Sequence, residues 1–154
     1  SERQRVELLL SAYEGFPTAK SFLDVCPDPA EVLRDIATDP HSKDHIRLGA
    51  LSAMALFPDE KTWELYLVEW DRASVASPAP GAAHHVLQGL ALGFGPRAVP
   101  VLIKGLGHAD AQVRMTAAFA LGTVGTDDAR GAILEQADRE TDAVVAKYLR
   151  QQVP

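Results

Sequence analysis

Apolar positions recur at helical spacing along most of the chain, and the pattern is clearest from Arg97 to Gly125. Val99, Leu102, Ile103 and Leu106 mark one amphipathic face, and Val113, Ala117 and Leu121 mark a second. The polar turn His108-Ala109-Asp110 separates them. The spacing predicts a helix, a tight turn and a second helix. A single hairpin of this kind cannot bury both of its faces, so it requires like neighbours. The same periodicity predicts helices over 3–14 (Val6, Leu9, Leu10 and Tyr13 on one face), 18–26, 30–38, 44–57, 59–73, 81–94, 96–107, 109–124, 127–140 and 141–153. No strand is predicted. Pro96 falls in a first helical turn, where its missing N–H costs little, but Pro100 falls later and predicts a local bend.

Internal repetition supports the hairpins. Ala120-Leu121-Gly122 is answered by Ala91-Leu92-Gly93, 29 residues earlier, and by Ala53-Met54-Ala55, a further 38 back. His45-Ile46-Arg47 parallels Gln112-Val113-Arg114, each following a turn aspartate, Asp44 or Asp110. The irregular period has a visible source in the long Ala/Ser/Pro-rich connection 73–81. That loop reads either as a surface insertion or as a binding loop.

The pattern of turn aspartate, Val-Arg, alanines and Leu-Gly resembles the HEAT-repeat family, in particular the short HEAT-like repeats of phycobilisome (bilin) lyases. Residues 97–125 carry it most fully, residues 30–57 less so, and residues 60–95 keep Leu92-Gly93 with His85 in the arginine's place. Residues 127–153 are weaker, as terminal repeats often are. The resemblance implies an all-α, right-handed α-α superhelix, an α-solenoid, of about five helical hairpins. Residues 1–154 would form a single repeat domain, with 1–28 as a divergent N-terminal capping hairpin and 29–154 as four repeats. It also implies that Arg47 and Arg114 bond to turn carboxylates and carbonyls.

Composition narrows the function classes. The net charge is −6, and basic against acidic residues number 6 and 9 over 1–57, 2 and 5 over 58–96, and 7 and 7 over 97–154. No segment is basic, so the electrostatic footprint of a nucleic-acid binder is missing and no nucleic-acid partner is expected. No apolar run of membrane-spanning length stands out, and no membrane partner is expected. A lone cysteine, Cys26, fits a reducing compartment, hence a cytoplasmic location, and reads as a small buried hydrophobe. The chain opens at Ser1 without methionine, as a processed product or a piece of a longer protein would.

Catalytic chemistry finds no foothold. His84 and His85 are adjacent, about 100° apart on a helix, where a metal site wants i and i+4. His41 and His45 have that spacing, but no further ligand completes a set. No metal, cofactor or catalytic residue is assigned. Trp63, Tyr66, Leu67 and Trp70 share one helical face and read as core.

One surface remains for function. If second helices line the concave side of the superhelix, the positions left free by packing are Leu48, Ser52 and Leu56, then Val86, Leu90 and Phe94, then Met115 and Phe119, then Ala146 and Arg150. Leu48, Leu56, Val86, Leu90, Phe94, Met115 and Phe119 make this ribbon apolar. It predicts a docking face for a protein or peptide partner, unless a tight superhelix or a homodimer buries it. The expected function is a non-enzymatic scaffold. The alternatives are a relative or subunit of a bilin-lyase-like enzyme holding a small apolar ligand, and a HEAT-like DNA-repair glycosylase.

Overall fold

Each predicted helix exists, and short polar side chains start most of them. The computed structural model describes residues 1–12, 15–75 and 81–154. Ten α-helices lie among them: α1 (Glu2–Leu10), α2 (Ala19–Val25), α3 (Pro29–Thr38), α4 (Asp44–Ala53), α5 (Glu60–Ser74), α6 (Gly81–Phe94), α7 (Val99–Leu106), α8 (Ala111–Val124), α9 (Asp127–Arg139) and α10 (Ala143–Gln151). Asp59, Asp110 and Asp142 cap α5, α8 and α10, accepting backbone N–H bonds at 2.8, 2.8 and 2.9 Å. Gly125 closes α8 at φ +71°, a left-handed conformation that glycine adopts without a Cβ penalty. No strand occurs among the described residues.

The helices pair as antiparallel neighbours: α3 with α4, α5 with α6, α7 with α8, and α9 with α10. The second helices α4, α6, α8 and α10 stand side by side, and α1 packs on α3 and α4 at the first end of the stack. One continuous core runs through all of this, including Leu33, Leu51, Leu87, Leu102, Leu121, Ile133 and Leu149. Each such side chain contributes roughly 1.5–3 kcal/mol when fully removed from water.

Three expectations change. The first concerns Pro100. The chain from Gly95 to Ala98 forms a 3-10 turn and α7 begins at Val99, so Pro100 lies in the first helical turn and forces no bend. Second, an apolar run of membrane-spanning length does exist. α6, the 3-10 turn and α7 form one helical stretch of 26 residues, Gly81–Leu106, whose most apolar 18-residue run has a mean hydropathy of 1.5. Within it 44% of the most apolar window is buried, and α6 is covered by α4, α5 and α8, which is the setting of a core helix. Third, Tyr13 and residues 76–80 of the long connection lie outside the described residues.

The aromatic face of α5 is largely core. Tyr66 and Trp70 are buried, and the Tyr66 hydroxyl donates to the Leu51 carbonyl at 2.5 Å. Burial also pushes the Tyr66 hydroxyl well above the usual phenol range. The hydroxyl end of the ring lies against Gly89 of α6, where a Cβ would meet the Tyr66 hydroxyl oxygen first and come within 2.6 Å of its Cζ. Gly89→Ala should therefore destabilise the protein by about 1–3 kcal/mol, despite alanine's better helix propensity. Gly131, exposed within α9, has nothing within 4 Å of a would-be Cβ, so Gly131→Ala should stabilise by about 0.5–1 kcal/mol. Urea midpoints of the two variants should move in opposite directions.

Candidate partner-binding face

Burial fixes the register of the second helices, and it differs from the sequence expectation by two residues in α6. On α8 the exposed positions are Gln112, Phe119 and Thr123; on α6 they are Gly81, Gln88 and Leu92. Ala120-Leu121-Gly122 therefore has its structural counterpart in Gly89-Leu90-Ala91, not in Ala91-Leu92-Gly93. Val86 and Leu90 have no exposure and belong to the core, which removes them from the ribbon. Phe94 turns the other way. It meets Trp63 edge-on at 5.1 Å and Tyr66 at 6.3 Å, on the α5 side. Arg97 sits 4.1 Å over the Trp63 ring and closes this cluster through a two-pronged bond to Glu60, at 2.9 and 2.7 Å. Leu48, Leu56 and Met115 are partly buried against the core. On the last helix, Ala146 is buried, and Arg150 folds back toward the Ala137 carbonyl and Asp138. Of the seven ribbon residues, only Phe119 is exposed, at 50%.

A different set forms the open surface. Leu92, 68% exposed, stands between two depressions on the face of α4, α6 and α8. One, of about 320 Å³, lies between α4 and α6 and includes Ser52, His85, Gln88 and Leu92, with Phe16 from the α1–α2 connector over it. The other, of about 300 Å³, lies between α6 and α8, with Gln88, Leu92, Phe119 and Thr123 in its walls. Gln88 and Leu92 line both, so the two adjoin on either side of α6 and together make a groove-like face across three hairpins. A larger depression of about 580 Å³ lies beside α1, and its walls include Arg3, Glu7 and Lys43.

The histidine pair has a structural role that the sequence did not reveal. His85 Nδ1 lies 2.6 Å from Ser52 Oγ of α4, and His84 Nδ1 lies 2.7 Å from Thr116 Oγ1 of α8. Adjacent residues point to opposite flanks of α6, so the pair clamps it to both neighbours. The angle that argues against a shared metal ion is what lets them do this. Burial pushes the His85 pKa down, and the neighbouring His84 lowers it further.

A family model for HEAT repeats matches residues 72–151, just over half of the chain. The chain belongs to the HEAT-repeat family. No curated protein and no solved structure matches it. The α3–α4 hairpin lies outside the matched stretch but repeats its burial pattern: Ile46, Ala50, Leu51, Ala53 and Met54 are buried where Val113, Ala117, Ala118, Ala120 and Leu121 are.

The HEAT arginine is fully employed in one hairpin. Arg114 donates to the His108 and Ala109 carbonyls at 2.9 and 3.0 Å, and to both Glu140 oxygens at 2.8 and 2.9 Å. It thus ties its own turn to the α9–α10 turn. The Glu140 side chain is 2% exposed, and the Arg114 guanidinium holds its carboxyl below the usual carboxylate range. Arg47 pairs, among the described residues, with Asp44 alone, an exposed neighbour three residues away. In α6, the corrected register puts Ala83, not His85, in the arginine's place.

Two outcomes follow from these contacts. Arg114→Ala leaves the Glu140 carboxylate without its counter-charge, with the Gln136 amide and the Asp142 N–H as remaining donors, and should cost on the order of 3 kcal/mol in urea denaturation. Arg47→Ala, by contrast, should stay within about 0.5 kcal/mol of the wild type. For His85, the unfolded chain binds more protons than the folded one between the depressed native pKa and the ordinary value of 6.5. Its contribution to stability is therefore full above that window and is lost as pH falls through it. Urea midpoints taken across the window should show this slope in the wild type and a flatter one in His85→Gln.

Proposed function

We propose that this HEAT chain is a non-enzymatic scaffold that binds a protein or peptide partner on the face of α4, α6 and α8. In this reading residues 1–154 act as one repeat domain whose hairpins wind into a right-handed superhelix, with this face on its concave side. The closer packing of second helices than of first helices supports that curvature. The observation that carries the function is the pair of adjoining depressions, with Leu92 and Phe119 open to solvent on neighbouring helices. Exposed apolar groups on neighbouring helices gain roughly 25 cal/mol per Å² when a partner covers them. HEAT repeats commonly serve as protein-interaction scaffolds, which agrees with this assignment. The described residues gather no set of three metal-ligating side chains, and burial raises the Cys26 thiol pKa, away from a nucleophile's range. A reducing, cytoplasmic setting suits that unpaired cysteine.

The test is a pair of surface charges, Leu92→Asp and Phe119→Asp. Both positions are exposed, so far-UV circular dichroism and thermal midpoint should stay near wild type. Quantitative affinity capture should then lose a partner that the wild type retains. Unfolding of either variant would return that residue to the core. Unchanged capture by both would move the binding surface elsewhere, with the connection 73–81 as the next place to look.

A further inference from the structure

Among the described residues, the groove is walled by uncharged side chains. The chain carries 15 basic and 21 acidic residues, yet neither depression has a described Lys, Arg, Asp or Glu in its walls. The depression beside α1 is the contrast, with charges of both signs. A charged group drawn into the uncharged groove would lose water and meet no counter-charge. One wall group, His85, can itself acquire a charge in the physiological range. It is half-buried. Among the described residues, those around it carry no charge from α4 (Gly49, Ser52) or from the connector (Phe16); Tyr13 and Glu14 of that connector lie outside them. His45, one turn before Gly49 on α4, lines the α1 depression instead. On α6 its titratable neighbour is His84, which is engaged with Thr116 of α8.

We propose that the groove takes an uncharged, apolar peptide segment of another protein and holds it only while His85 is neutral, so that protons and the segment compete. This rests on the scaffold reading above, and adds to it the chemistry of the partner and its control by pH. An apolar segment laid over Leu92 strips the remaining water from the imidazole, and that penalises the imidazolium form. By linkage, affinity then declines as pH falls through the His85 titration, by at most about tenfold per pH unit for one proton.

The probe is a set of peptides selected by phage display against the wild-type protein at about pH 7.5. Fluorescence anisotropy then measures each on wild type, Leu92→Asp and His85→Gln, at about pH 7.5 and about pH 5, with circular dichroism recorded alongside. Peptides that bind the groove lose affinity on Leu92→Asp. Their central residues should be uncharged and apolar. They should bind wild type severalfold more weakly at the lower pH, and His85→Gln equally at both. The His85 ring-proton NMR titration should move to lower pH when such a peptide is bound. Acidic-centred peptides that tighten at low pH would overturn the inference, because His85 would then be a cationic anchor. A wild-type dimer that Leu92→Asp converts to monomer would also overturn it, giving the groove to a second copy. In both cases the face remains in use. If no selected peptide depends on Leu92 or Phe119, the scaffold reading itself fails, and the inference with it.

Discussion

The position of Tyr66 sets the spacing of the first half of the stack. Its ring fills the junction of α4, α5 and α6, and its hydroxyl satisfies the Leu51 carbonyl in the last turn of α4. That turn runs into a 3-10 turn at Met54–Leu56, where helical carbonyls need outside donors. A buried phenol without this acceptor would cost a few kcal/mol, so bond and packing stand together. The consequence for α6 is that position 89 has no room for a side chain. Everything else on α6 follows from that contact. With Gly89 inward, Leu90 and Val86 are inward too, and Gln88 and Leu92 face solvent.

The sequence made the hairpins legible because a helix declares itself through a period of 3.6, and capping aspartates mark the starts of α3, α5, α8 and α10. Register is a finer matter. Leu90 and Leu92 are the same residue two positions apart, and Leu92-Gly93 imitates the Leu121-Gly122 pair of α8. What breaks the tie is the contact between Tyr66 and Gly89, 23 residues apart in sequence. A shift of two residues turns a helix by about 200°, which carried Val86 and Leu90 from the core onto the expected surface. Phe94 was misplaced by the same shift. Its true partners, Trp63 and Arg97, lie on another helix and in a 3-10 turn.

The ionic and polar links show a similar division. The bonds of Arg114 to its own turn could be anticipated from the residues beside it. Glu140 could not, because it belongs to the next hairpin and carries no local signature. The histidine pair looked like spare surface, since its partners Ser52 and Thr116 lie 33 and 32 residues away. Links of this range are how a repeat array turns neighbouring hairpins into one cooperative body. Short polar side chains do it here at the cost of a single hydrogen bond each way.

The long apolar stretch Gly81–Leu106 has a consequence for how the chain is made. In the finished protein α4, α5 and α8 cover it, but α8 ends at Val124 and leaves the ribosome after it. At roughly 5–20 residues per second, the stretch waits on the order of 1–4 s for its last cover. During that interval the nascent chain presents an 18-residue run with the hydropathy of a membrane span. Such a segment is a natural client for the factors that meet emerging chains. The 3-10 turn at Gly95–Ala98, with Pro96 inside it and Pro100 just after it, then matters twice, as an interruption in the finished stack and as a break in the segment while it is still bare.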